Sequence, residues 1–236
     1  MTGTAGVARG VEGDSVEGYS VLIVDDHELF STSLRVALRM HGLDAHQVAP
    51  VKGVEDILAR ARQRRVGLVV LDLDLGPDGA GGWVSGVDLV GALRQDGWKV
   101  LVVSGRVDQP WVAAAIAAGA IGSVPKSHSF EILLETVLAA ASGQPVMADA
   151  ERDGWLAQHR DVEARDRELA RKLGRLSTRE REILELLAAG HRAGEIAERS
   201  VVSLSTVRTQ IRAILAKLQV NSQIEAAAMV RQTPWS

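Results

Sequence analysis

Four short apolar runs within the first 126 residues each end on a side chain that carries chemistry. Val21-Leu22-Ile23-Val24 runs into Asp25 and Asp26, Val66 to Leu71 into Asp72, Val100 to Val103 into Ser104, and a fourth, shorter run into Lys126. Apolar runs of this length between turn signals read as strands buried on both faces. Segments of helical period lie between them. The first carries Leu29, Leu34, Ala37, Leu38 and Met40, and Gly42 supplies its stop. Strand–helix alternation of this kind leaves few folds: a parallel sheet covered on both faces through right-handed crossovers. The carboxyl ends of such strands form a crevice. An acid pair, an acid, a hydroxyl and an ammonium are therefore expected around one rim.

Strands are expected at about 20–25, 44–48, 67–72, 98–103 and 121–124, and helices at about 27–41, 53–64, 85–95, 108–118 and 128–142. The class is α/β, and the flavodoxin-like, doubly wound order of a five-stranded parallel sheet is the expected topology. Residues 1–18 lack apolar period and are expected to form a disordered tail ahead of a domain at 19–145. Residues 146–175 interleave charges of both signs among good helix formers, which predicts a charged helical linker. From Leu176 to the end, at 176–236, the pattern is all-helical: a helix capped by Ser177 or Thr178 and stopped by Gly190, another at about 193–199, a break at Ser200–Leu204, a third from Ser205 to about Leu218, and a fourth at 221–232.

Composition narrows the function classes. The 236 residues contain no cysteine, which excludes disulfides, thiol catalysis and Cys-ligated zinc. No apolar run approaches the ~20 residues needed to cross a bilayer, and the basic-then-apolar order of a secretory signal is missing. A cytoplasmic protein without a membrane partner is expected. The net charge of −3 conceals an asymmetry: residues 1–150 hold 12 basic and 18 acidic side chains, whereas residues 176–236 hold 8 and 6. The acidic part suits a cation site; the basic tail is compatible with nucleic acid.

A carboxylate is a competent nucleophile toward a phosphoryl group, and phosphoryl transfer depends on charge neutralisation. Asp25 and Asp26 fit the binding of Mg2+ (or Mn2+), with Asp72 as both ligand and nucleophile, Lys126 as a point charge for the phosphoryl group, and the Ser104 hydroxyl as its hydrogen-bond donor. Residues 20–142 resemble the receiver (CheY-like) domain of bacterial two-component response regulators, through Val21-Leu-Ile-Val-Asp25-Asp26-His27, Leu68-Val-Val-Leu-Asp72-Leu-Asp74, Val100-Leu-Val-Val-Ser104-Gly105 and Gly119-Ala-Ile-Gly-Ser-Val-Pro-Lys126. The resemblance implies that Asp72 is the phosphoacceptor, that Asp25, Asp26, Asp72 and the Asp74 main-chain carbonyl hold the metal, that Ser104 and Lys126 form the phosphate switch, and that a histidine kinase is the donor. Two departures stand out. Ser123 occupies the position of the family's aromatic switch residue, and the loop after Asp72 is long and glycine-rich through residues 76–86. That loop is either a tolerated flexible insertion or a lid or kinase-specificity element.

The third C-terminal helix carries three cations and no acid. Val207, Ile211, Ile214, Leu215 and Leu218 share its core face, leaving the polar residues for contacts. Arg reads guanine edges, Gln reads adenine, and cations neutralise phosphates. Leu176-Ser-Thr-Arg-Glu180-Arg-Glu182, Gly190, Glu195-Ile-Ala197, Ser205-Thr-Val-Arg208 and Ala216-Lys217-Leu218 closely resemble the LuxR-type helix-turn-helix domain over about 174–232. This implies promoter DNA binding by Ser205, Thr206, Arg208, Thr209, Gln210, Arg212 and Lys217, and dimer contacts through the last helix. Gln219 stands where that family usually has glycine.

Both halves together resemble the NarL/FixJ subfamily of transcriptional regulators, which implies a homodimer on activation and a regulator rather than an enzyme. Two rival readings remain at this level. One is a DNA-binding protein with a vestigial receiver. The other is a phosphatase of the haloacid-dehalogenase type, suggested by Asp72-Leu-Asp74.

Overall fold

A computed structural model describes residues 17–48, 53–77, 82–105 and 109–231. The expected tail, all but its last two residues, and the centre of the glycine-rich loop, 78–81, lie outside the described residues. The chain divides into two compact units, Met1–Arg160 and Asp161–Ser236.

The first unit alternates strands and helices in the expected sequence. Its elements are β1 (Ser20–Val24), α1 (Glu28–Met40), β2 (Asp44–Val48), α2 (Val54–Arg62), β3 (Leu68–Leu71), β4 (Asp74–Pro77), β5 (Trp83–Ser85), α3 (Gly86–Gln95), β6 (Lys99–Ser104), α4 (Gln109–Ala117), β7 (Gly122–Pro125) and α5 (Phe130–Ala141). Five of the strands form one parallel sheet in the order β2-β1-β3-β6-β7. Successive residues on a strand point to opposite faces, and the core divides accordingly. Val21, Ile23, Leu68, Val70, Leu101 and Val103 pack with Leu34 and Leu38 of α1 and Leu133 and Val137 of α5. Leu22, Val24, Val69, Leu71, Val100 and Val102 pack with Ile57 of α2, Leu89 and Leu93 of α3, and Ile116 of α4. Both faces are apolar because both are covered, which is why the sequence shows runs in place of alternation.

One part departs from the expected plan. The long loop after Asp72 contains an antiparallel pair, β4 with β5, in which Asp74 lies opposite Ser85 and Pro77 opposite Trp83. With glycine and proline in so short a pair, no period-2 pattern was available to reveal it.

The charged linker forms a single helix, α6 (Asp149–Gly174), and the division between the units falls inside it. No described helix is long and apolar enough to cross a membrane.

The second unit holds α7 (Thr178–Ala188), α8 (Ala193–Arg199), α9 (Leu204–Leu218) and α10 (Gln223–Arg231). Its core joins Leu173 and Leu176 to Ile183, Leu184, Ile196, Val207, Ile211, Ile214 and Leu218. Ser177 caps α7 in a reciprocal box: its hydroxyl accepts from Glu180 N at 3.3 Å, while Ser177 N donates to Glu180 Oε2 at 2.7 Å. The start of α9 lies earlier than expected. Leu204 is its first residue, because the Ser203 hydroxyl, not that of Ser205, accepts from Thr206 N at 3.1 Å.

At the other end of α9, Gln219 adopts the left-handed conformation (φ 59°, ψ 45°). A side chain there crowds its own backbone, and glycine does not. Gln219→Gly is therefore expected to raise the stability of the second unit by about 1 kcal/mol, read as a higher urea midpoint at unchanged slope. A lower midpoint would show that another contact of Gln219 outweighs the strain.

Candidate functional site

Parallel register brings the carboxyl ends of β1, β3, β6 and β7 to one rim, and the residues expected to meet there do so. Asp25 and Asp72 follow two adjacent strands and are each only 2% exposed. Asp72 N donates to Val24 O at 2.8 Å, extending the ladder by one bond and fixing the acid beside β1. Lys126, just past β7, places Nζ 2.6 Å from Asp25 Oδ2 and 2.6 Å from Asp72 Oδ2. Its main-chain N–H donates to Ser104 O at 2.9 Å, and its ammonium lies 4.8 Å from the centroid of the Phe30 ring. Ser104 is buried at the end of β6, and Asp74 N donates to Asp72 Oδ1 at 3.2 Å. Asp26 is more open, with His27 Nδ1 2.6 Å from its Oδ1. His27 N donates to Asp25 Oδ1 at 2.8 Å.

Two buried carboxylates thus share a single ammonium, with the more open Asp26 beside them. Burial pushes the Asp72 carboxyl above its ordinary range and the charge of Asp25 pushes the same way, against the pull of Lys126. Burial alone would lower the Lys126 ammonium. Its hydrogen bonds and attraction to Asp25 and Asp72 outweigh that, and it too lies above its ordinary value. Both directions express one fact, a surplus of negative charge in a dry place.

That surplus is what a cation site requires. Asp25, Asp26, His27 and Asp72 each offer a ligand atom, all within 4.8 Å of one another. The Lys126 ammonium is already stabilised between two of these carboxylates, and hard carboxylate oxygens suit Mg2+ or Mn2+.

In the second unit, Ser205, Arg208, Thr209 and Arg212 are all exposed and follow helical spacing along one face of α9. Thr206 is exposed as well, its hydroxyl 2.8 Å from Ser203 Oγ. Arg208 and Arg212 make no ion pair among the described residues. Two residues expected on that face stand apart from it. Lys217 Nζ donates to Glu180 Oε2 at 2.6 Å, which ties α9 to the cap of α7. The amide oxygen of Gln210 is buried, with no hydrogen-bond donor among the described residues. The Lys217–Glu180 pair spans 37 positions, and no local pattern signals it. His27 and Phe30 were visible beside the acid pair, but only the fold sets them against Asp26 and Lys126.

Residues 21–138 match the response regulator receiver domain family, and residues 174–230 match the bacterial regulatory proteins of the luxR family. The nitrate/nitrite response regulator protein NarP of Escherichia coli (strain K12) is 31% identical over 91% of this chain and 95% of its own. The transcriptional regulatory protein FixJ of Rhizobium meliloti (strain 1021) is 32% identical over 86% of this chain and 91% of its own. A structure of the response regulator RcsB bound to DNA aligns with a TM-score of 0.49 at 20% identity, over 92% of this chain and 100% of that one.

Proposed function

Because the chain belongs to the NarL/FixJ subfamily of two-component response regulators, joining a receiver domain to a LuxR-type DNA-binding domain, we propose that Asp72 accepts a phosphoryl group from a histidine kinase and that this event governs promoter binding through α9. The observation that carries this reading is the buried arrangement of Asp25, Asp72 and Lys126, with both carboxylates 2.6 Å from one ammonium. A purely structural core has little reason to hold such a cluster, since burying charge is costly.

An Asp72 carboxylate oxygen forms a bond to phosphorus as the bond from phosphorus to the kinase imidazole nitrogen breaks; that nitrogen keeps the electron pair. Asp25, Asp26, Asp72 and the Asp74 main-chain carbonyl would hold Mg2+ or Mn2+, which when bound neutralises charge on the transferring group. Lys126 turns from the carboxylates it now bridges to the phosphoryl oxygens. Ser104 donates its hydroxyl to another of them, and the main-chain link from Lys126 N to Ser104 O keeps the two in step. The added ~1.5–2 negative charges make this rearrangement favourable. Family membership displaces the haloacid-dehalogenase-type reading of Asp72-Leu-Asp74. DNA-bound homodimers, a cytoplasmic location and domain limits at 19–145, 146–175 and 176–236 belong to the same proposal.

Acetyl phosphate or beryllofluoride with magnesium is expected to change the oligomeric state or DNA affinity of the full chain, and Asp72→Asn is expected to abolish that change. An equal response in the variant would remove Asp72 from the mechanism. A wild-type chain that takes up no phosphoryl group would favour a vestigial receiver.

The α9 face gives a separate expectation. Arg208→Ala and Arg212→Ala should each weaken binding and reduce the slope of log affinity against log salt by about 1. Lys217→Ala should leave that slope unchanged and lower the melting temperature, because its charge is engaged with Glu180. A reduced slope for Lys217→Ala would return it to the DNA-facing set.

A further inference from the structure

The opening turns of α6 run along β7 and α4, from the amino end of the parallel sheet toward the carboxyl end that carries Ser104. Arg152 donates to the carbonyls of Ala120 at 3.1 Å and Ile121 at 2.7 Å, the residues that lead into β7. Gln158 donates to Gln109 at 3.2 Å, at the start of α4. Between these two anchors, Trp155 and Leu156 pack on the core shared by β6, α3 and α4. Arg152, Trp155 and Gln158 recur every three residues, so one stripe of α6 makes all these contacts.

Beside Trp155 is a cavity of about 180 Å3, walled by Val102, Ser104, Val112, Ser123, Val124 and the indole itself. Ser104 also borders a small cleft with Leu73 and Asp74, the residues that follow Asp72. Ser104 thus lies between the space beside Trp155 and a cleft formed by the loop that follows Asp72. The small side chain of Ser123, level with Val102 on the neighbouring strand, leaves that space unfilled. The indole N–H is buried and has no hydrogen-bond acceptor among the described residues. A buried tryptophan usually satisfies its N–H. An orphaned donor beside open volume marks a side chain with a second place to go.

The geometry points to Trp155 as the residue through which the state of Ser104 is passed to α6. This rests on the proposed phosphorylation of Asp72 and adds the route by which it is read. When Ser104 turns toward a phosphoryl group, one wall of the cavity withdraws. The indole then moves into the vacated volume, where the Ser123 hydroxyl is an acceptor for its N–H. Arg152 and Gln158 lie one turn to either side of Trp155, so the shift is imposed on the helix and not absorbed by one side chain. Two packings of one aromatic ring form the discrete, bistable element that such coupling needs.

The test uses the full chain with beryllofluoride and magnesium as the probe. In the wild type, beryllofluoride is expected to alter amide exchange across 149–160 by about fivefold or more. It should also shift the tryptophan emission that is lost in Trp155→Phe. Trp155→Ala should take up phosphoryl groups from acetyl phosphate at close to the wild-type rate, with its change in oligomeric state or DNA affinity about fivefold smaller or less. Trp155→Phe keeps a packed ring and removes the N–H. It should match wild-type exchange before addition and lose most of the response after it, which separates coupling from unfolding. If both variants respond as the wild type does, or if exchange in 149–160 is indifferent to beryllofluoride while DNA affinity changes, Trp155 is not the route. A wild-type chain that accepts no phosphoryl group would overturn the proposed function and this inference with it.

Discussion

Lys126→Met, measured in the presence of a chelator, is expected to cost the first unit about 3–5 kcal/mol. Its ammonium bridges two carboxylates that are each only 2% exposed, at 2.6 Å from both. Methionine fills most of the same space, so the loss is electrostatic: Asp25 and Asp72 are left buried, close together and uncompensated. Millimolar magnesium should return most of this stability, because a cation that binds only the folded state stabilises it by mass action. Urea unfolding of wild type and variant, with chelator and with magnesium, gives four midpoints. The variant should show much the larger rise on adding magnesium. A variant as stable as wild type in chelator would mean that water already screens the two acids.

The same charges set the pH dependence of the metal-free wild type. The folded pKa of Asp72 lies above the ordinary 3.8, so the folded state holds that proton more tightly than the unfolded chain does. Stability from this group is therefore greatest at low pH and declines as pH rises from the ordinary carboxylate value through the raised one. Lys126 acts at the other end. Its folded pKa lies above 10.5, so its contribution is complete below that value and is lost as pH climbs beyond it.

The sheet could be read in advance because its three central strands, β1, β3 and β6, are covered on both faces. Val21 to Val24 and Val100 to Val103 must then be apolar throughout, and the first chemically active residue after each run stands out. The acid pair, Asp72, Ser104 and Lys126 were legible for that reason. The remainder depends on partners that sequence distance hides. Nothing near Lys217 signals Glu180, and nothing near Trp155 signals Ser104, 51 positions earlier. The β4–β5 pair failed to register because strands of three and four residues are too short to show a period. α9 starts one residue before the expected Ser205, because the Ser203 hydroxyl caps it and draws Leu204 into the first turn.

Gly86→Ala is expected to be among the most damaging single-methyl changes available to the chain, costing at least about 3 kcal/mol. A β-carbon at that position would lie 2.2 Å from the Asp72 carbonyl oxygen and 2.7 Å from Leu73 Cα. Both neighbours are backbone, so no rotamer change relieves the overlap. The acceptor loop is also fixed from two sides, by Asp72 N to Val24 O at 2.8 Å and by Gly86 N to Leu73 O at 3.0 Å. α3 therefore has to retreat from the sheet or the loop has to shift, and a shift carries the Asp72 carboxylate away from Asp25 and Lys126. Misplacing a reacting group by about 1 Å is enough to slow a reaction by roughly 10²-fold, so phosphoryl uptake from acetyl phosphate should fall by at least that factor in whatever fraction stays folded. The glycine five residues later in the same helix provides the control. A β-carbon on Gly91 meets nothing within 4 Å, and Gly91→Ala should stabilise the unit by about 0.5–1 kcal/mol through helix propensity alone. Opposite signs for two identical substitutions in one helix would locate the cost in the approach of α3 to the acceptor loop. Equal effects would mean that α3 can slide off the loop without disturbing Asp72.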